Sequence, residues 1–165
     1  MAAMAKKQLA LDTNILFDLA EEMDFAHFFR EFFQGRGYSL RVPPTVVQEL
    51  AHYATVKNCA QSPFALKALQ QMKPWGILPW DLIPTGHAIT AEFSGKLIRK
   101  GYLPEGEFND GFILAETSLC CIPVLVTNDN HLSNIDPSHL RIQFEDSDLM
   151  PVGVFRPKRL YHVLK

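Results

Sequence analysis

The chain alternates between two hydrophobic periods. Short apolar runs of strand character, Gln8–Asp12 (QLALD), Ser39–Pro43 (SLRVP) and Pro123–Thr127 (PVLVT), separate longer stretches with helical spacing. PVLVT is nearly all apolar, the pattern of a strand covered on both faces. Its proline stands first, where a strand tolerates a missing N–H. Weaker strand patterns occupy Ile77–Ile83 and Arg141–Phe144. Phe25, Phe28, Phe29, Phe32 and Phe33 recur at i, i+3, i+4, i+7 and i+8, one face of an amphipathic helix. An aromatic stripe can stack on bases, but this period fits burial, and the stripe is read as a core face. Thr45, followed three positions later by Gln48, forms a capping-box pattern that opens a helix running to about Asn58. Ile89–Lys100, ended by Gly101, and Asp110–Leu119 are further helices. Strand–helix alternation throughout predicts an α/β three-layer sandwich around a central, mainly parallel sheet.

Composition narrows the class. The 165 residues are 47% apolar and 21% charged, which predicts a single globular domain over residues 1–165, with its core at about 8–145 and a C-terminal extension at 146–165. Sixteen basic and eighteen acidic residues leave a formal charge of −2, which excludes a protein that grips nucleic acid by bulk positive charge. No apolar run approaches the roughly 20 residues needed to span a bilayer. The opening MAAMAKKQ lacks the apolar segment of a secretory signal. Three cysteines, two of them adjacent at 120 and 121, point to a reduced compartment and away from a zinc site. The expectation is a cytoplasmic protein with no membrane partner.

Candidate chemistry lies in four acids. In open parallel sheets, ligands bind beyond the carboxyl ends of the strands, where strand order reverses. Asp12 closes the first strand and Asp129 lies just past the end of PVLVT. Glu49 falls in the second turn of the helix after SLRVP, and Asp110 near the start of its own helix. All four can converge on one rim. Singly, each has an ordinary reading as a turn former, a helix cap or a favourable charge at a helix N-terminus. Jointly, ionised carboxylates repel one another unless one is protonated or a cation is present. Oxygen ligands of this kind select Mg²⁺ or Mn²⁺. One such ion, or two about 3.5–4 Å apart, can activate water against a phosphodiester.

The four segments carrying these acids resemble, in order, the motifs of PIN-domain nucleases. LALDTNILFDLA, with Asp12, Thr13 and Asn14, resembles the first motif, and VPPTVVQEL supplies Glu49 of the second. NDGFILAETS, with Asp110, resembles the third, and VLVTNDNHL, with Thr127, Asn128 and Asp129, the fourth. The resemblance spans roughly residues 8–145. It implies a five-stranded parallel sheet between helices and a divalent-metal-dependent endoribonuclease. Asp12, Glu49, Asp110 and Asp129 would then bind metal and activate water, with Asn14 and Thr127 orienting the carboxylates. Many similar bacterial members are VapC-like toxins of toxin–antitoxin pairs, which implies an antitoxin partner, an RNA substrate and a homodimer. The segment from Cys59 to Gly106 is longer than in the compact toxins and carries Trp75 and Trp80, read as core aromatics.

Other readings lose on specific residues. A haloacid-dehalogenase-type phosphatase needs a second aspartate two positions after Asp12, where Asn14 stands. Glu49-x-x-His52 is half of a di-iron motif with no second copy. No P-loop, G-x-G-x-x-G or G-x-S-x-G pattern occurs. A catalytically silent PIN-like module that binds RNA or protein is opposed by the four acids, whose mutual repulsion gives a scaffold nothing. Arg156, Lys158, Arg159 and Lys165 form a basic tail that either guides a phosphate backbone, seats a partner or is simply solvated.

Overall fold

Five short parallel strands pair in the order β3-β2-β1-β4-β5 in a computed structural model that describes residues 7–165. They are β1 (Gln8–Leu11), β2 (Ser39–Val42), β3 (Ile77–Pro79), β4 (Val124–Val126) and β5 (Gly153–Phe155). Two helices follow each of the first four strands: α1 (Thr13–Ala20) and α2 (Asp24–Gly35), α3 (Pro44–Thr55) and α4 (Ser62–Gln71), α5 (Pro84–Arg99) and α6 (Phe108–Leu119), α7 (Asn130–Ser133) and α8 (Pro137–Asp146). Helix α9 (Pro157–Leu164) closes the chain. Parallel strands need such crossovers, and the helices bury both sheet faces. Accordingly Leu9, Leu11, Leu40, Val42, Leu125 and Val126 are all buried. The α/β architecture with a parallel sheet is as expected. The start of MAAMAKKQ lies outside the described residues.

The weaker strand expectation at Arg141–Phe144 is corrected: these residues belong to α8. Asp136 caps that helix by accepting the Ser138 and His139 N–H groups, and Pro137 follows at the first helical position, where its missing N–H costs nothing. Leu140 and Phe144, four apart, then face the core. The fifth strand is instead Gly153–Phe155, inside the segment expected to be an extension, and it pairs in register with β4. The capping box at Thr45 is also absent. Pro44 starts α3 two positions before the Val46 start that a Thr45 cap would set, the helix has no local side-chain cap, and Thr45 turns inward.

The phenylalanine face of α2 is core only in part: Phe25 and Phe32 are half-buried, and Phe28, against the expectation, is exposed. Phe29 and Phe33 are buried, and Tyr161 of α9 lies edge-on against Phe25, Phe28 and Phe32. The long segment before Gly106 contains α4, β3 and α5, with Trp75 buried and Trp80 half-buried. Helix α5 ends in a Schellman arrangement: Gly101 is at φ +78°, its N–H reaches Ile98 O, and the Tyr102 N–H reaches Leu97 O.

Helices α5 and α6 meet most closely at Gly111, the residue after Asp110. A Cβ there would stand 2.6 Å from Ser94 Cβ and 2.7 Å from its Cα, a contact that only backbone movement relieves. Ser94 Oγ donates to Phe108 O at 2.6 Å, fixing the entry to α6. Gly111→Ala is therefore expected to lower unfolding free energy by about 1–3 kcal/mol through overpacking. Urea denaturation checks this, and unchanged stability would show that the helices separate freely.

Candidate active site

Strand order turns at β1, whose neighbours are β2 on one side and β4 on the other, so a crevice opens beyond the carboxyl ends of β1 and β4. Asp12 is the first residue past β1, and its N–H extends the ladder to Val126 O at 3.0 Å. Thr127 is the first residue past β4 and is fully buried. Its hydroxyl donates to Asp12 Oδ2 at 2.6 Å and accepts from Asn14 Nδ2 at 3.1 Å and the Asp129 N–H at 2.9 Å. One donor and two lone pairs are all a threonine hydroxyl has, and all are used. Asn14 Nδ2 also lies 3.3 Å from Asp12 Oδ2, and its Oδ1 accepts the Asn128 N–H at 3.0 Å.

Each acid reaches the rim by a local rule. Asp12 caps α1, taking the Thr13 N–H on Oδ1 at 2.7 Å. Asp129 caps α7, taking the His131 and Leu132 N–H groups at 2.6 and 3.2 Å. Glu49 sits in the second turn of α3 and accepts the Thr13 hydroxyl on Oε1 at 2.9 Å, which ties α3 to the end of β1. Asp110, in the first turn of α6, is buried, and its Oδ2 has no hydrogen-bond partner. The six residues singled out in sequence thus occupy one edge of the sheet. The carboxylates are neighbours and not a closed cage: among the described residues, no three His, Cys, Asp or Glu side chains converge as a metal-binding group.

Crowding shows in the protonation of the acids. Burial, reinforced by the charges of Asp129, Asp12, Glu107 and Glu49, pushes the Asp110 carboxyl up to about 8. Burial, then the charges of Asp12, Glu107 and Glu116, raises Glu49 to about 7 against the Thr13 hydrogen bond. Asp12 is also raised by burial, although three hydrogen bonds oppose the shift.

Several contributors were not singled out as site residues. Thr13 stands inside the DTN triplet that marked the site, but its bond to Glu49 crosses elements and has no local signature. Glu107 lies three positions before Asp110 on the same helical entry and adds negative charge to the rim. Glu116, buried on α6, accepts the Thr45 N–H at 3.0 Å and the Thr45 hydroxyl at 2.6 Å. It thereby serves as the distant cap of α3, the helix that carries Glu49. Arg156, from the basic tail, donates to Asn128 O at 3.0 Å and to the Asn130 side chain, bracketing Asp129.

Neither family models nor curated protein sequences match the chain. Solved structures do. VapBC2 from Rickettsia felis bound to a DNA fragment from their promoter aligns with a TM-score of 0.58 and 16% identity over 90% of this chain and 98% of that chain. VapBC-1 from nontypeable Haemophilus influenzae gives 0.57 and 14% over 92% and 98%. FitAcB from Neisseria gonorrhoeae gives 0.52 and 18% over 91% and 98%. Identity this low speaks for the fold alone, and the fold is PIN-like, as the four motifs implied.

The raised carboxyls have a consequence for folding. In the unfolded chain Asp110 and Glu49 release their protons near 3.8 and 4.5, in the folded protein near 8 and 7. Between those limits the native state binds more protons than the unfolded state, so stability is greatest on the acid side and falls as pH rises to about 8. In divalent-free buffer, Tm is expected to fall from pH 5 to pH 8. Asp110→Asn should flatten that slope and raise Tm at pH 8 by roughly 2–4 °C per kcal/mol of repulsion relieved. A Tm that climbs across this window would refute the crowding.

Proposed function

We propose that the protein is a divalent-metal-dependent endoribonuclease, with Asp12, Glu49, Asp110 and Asp129 as metal ligands. The observation that carries this reading is the buried Asp110 Oδ2 without a partner, facing the charges of three further candidate ligands at the switch point. An orphaned, charge-crowded carboxylate suits a hard cation that takes oxygen donors, Mg²⁺ or Mn²⁺, as one ion or two. When bound, such ions supply positive charge at a phosphodiester and lower the pKa of water.

The chain's own residues do the remaining work. Thr127 and Asn14 hold Asp12 Oδ2, and the Thr13 N–H holds Oδ1, so this carboxylate enters the reaction already oriented. The α7 N–H groups fix Asp129 in the same way. Glu49 and Asp110 are poised to carry protons at neutral pH without a cation and to release them when one binds.

Purified protein is expected to cut mixed RNA with Mn²⁺ and to stop with chelator. Asp12→Asn should lose at least about 10²-fold in rate, the scale of removing one preorganised electrostatic group. Cleavage that survives both chelator and the substitution would sink the metal mechanism.

The PIN-like fold and the motifs further support a cytoplasmic toxin held by an antitoxin, acting as a homodimer. Expression of the chain alone is expected to arrest bacterial growth, and the Asp12→Asn variant to leave growth intact. Normal growth with demonstrably active wild-type protein would separate the nuclease from the toxin role.

A further inference from the structure

Two grooves of similar size flank the Asn128–Asn130 loop, and Arg156 lines both. One, of about 640 Å³, lies against α1 and α2 and sets Asp18, Glu22 and Asp24 against Arg156 and Lys158. The other, of about 580 Å³, runs beside β5 between α7, α8 and α9. It holds Arg141, Arg156 and Arg159, and no acidic residue lines it. Its floor is apolar, with Leu132, Val154 and Phe155. Ser133, whose buried hydroxyl lacks a partner, also lines it.

A polyanion meeting an acidic rim needs cations beside it, because exposed charges farther than about 8–10 Å away are screened. Among the grooves on either side of the rim loop, only the β5 groove offers an excess of them. Arg156 joins this groove to the rim, since its guanidinium is bonded to the residues on both sides of Asp129. Among the described residues Arg156 and Arg159 have no ion-pair partner, whereas Arg141 is paired with Glu145; Arg159 is the more exposed of the two. The apolar floor between them offers surface on which unpaired bases can lie.

We infer that the β5 groove is a subsite for the backbone of single-stranded RNA, entered at Arg156 and continued by Arg159 and Arg141. This deepens the ribonuclease reading and rests on it. It assigns the last twenty residues, which carry β5, Arg156 and Arg159, a part in holding substrate beyond the cleaved bond.

The test measures binding of a fluorescent mixed-sequence 20-nucleotide single-stranded RNA to full-length protein in chelator across a salt series, with Mn²⁺-dependent cleavage by wild type run in parallel. Arg159→Glu is expected to weaken binding about tenfold or more. Arg159→Ala should reduce the slope of log affinity against log salt by about 0.7, the value for one phosphate contact on a single strand. Lys73→Ala, a cation outside the groove, should leave both quantities as in wild type. A 4-thiouridine-labelled strand should crosslink to residues of β5 or α9. Unchanged affinity and salt slope in both Arg159 variants, or crosslinks confined to the α1–α2 side, would overturn the subsite even if wild type cuts RNA. Absence of cleavage by wild type would instead remove the nuclease reading. A polyglutamate peptide that binds in an Arg159-dependent manner, with no RNA binding, would overturn the proposal in favour of an acidic protein partner.

Discussion

Repulsion among carboxylates beyond the ends of β1 and β4 is the constraint to which the surrounding structure answers. Each acid is drawn there by its own element, and the fold must hold them against one another in a partly dry site. The answer is a set of bonds running across the crevice. Thr127 spends its whole hydrogen-bonding capacity on Asp12, Asn14 and the Asp129 backbone, uniting the ends of two neighbouring strands. Thr13 does the same for α1 and α3 through Glu49.

The periodic features of this arrangement were legible along the chain and the cross-element ones were not. Asp12, Asp110 and Asp129 stand where strand ends and helix starts can be read from local pattern, and their meeting follows from parallel topology. Glu116 could not be found that way. In sequence it is one acid on a small-residue helix, and Thr45 advertised a local cap with Gln48 that does not form. Pro44 moved the helix start by two positions, and the freed Thr45 groups found a carboxylate from α6 instead. The fifth strand was missed for a related reason. Arg141–Phe144 and Gly153–Phe155 are both too short for periodicity to separate helix from strand. The deciding signal was the Asp136–Pro137 pair, which starts a helix.

The C-terminal segment changes meaning in the same light. A basic tail would leave the sheet four-stranded and the Asp129 loop unsupported. As the edge strand β5 followed by α9, it covers one side of β4 and sends Arg156 back to the loop. A positive group is thereby fixed beside an acidic rim by hydrogen bonds to neutral residues, with no ion pair to a rim carboxylate. Its charge remains available to an incoming anion, which a direct pair with Asp129 would have consumed.

The four acids are not equivalent, and their differences order their roles. Asp12 accepts three hydrogen bonds, Asp129 two N–H groups, Glu49 one hydroxyl, and Asp110 Oδ2 none. A carboxylate held by several donors has its orientation chosen before any ligand arrives. One with no donor keeps its charge only at a cost that a ligand must offset. The best-supported acids, Asp12 and Asp129, cap the helices that follow β1 and β4; the least supported stand on helices α3 and α6. The arrangement therefore pairs a rigid half, able to define where a cation would sit, with a half whose ionisation responds to its arrival. The close contact at Gly111 and the distant cap from Glu116 keep that second half near the first without satisfying its charge.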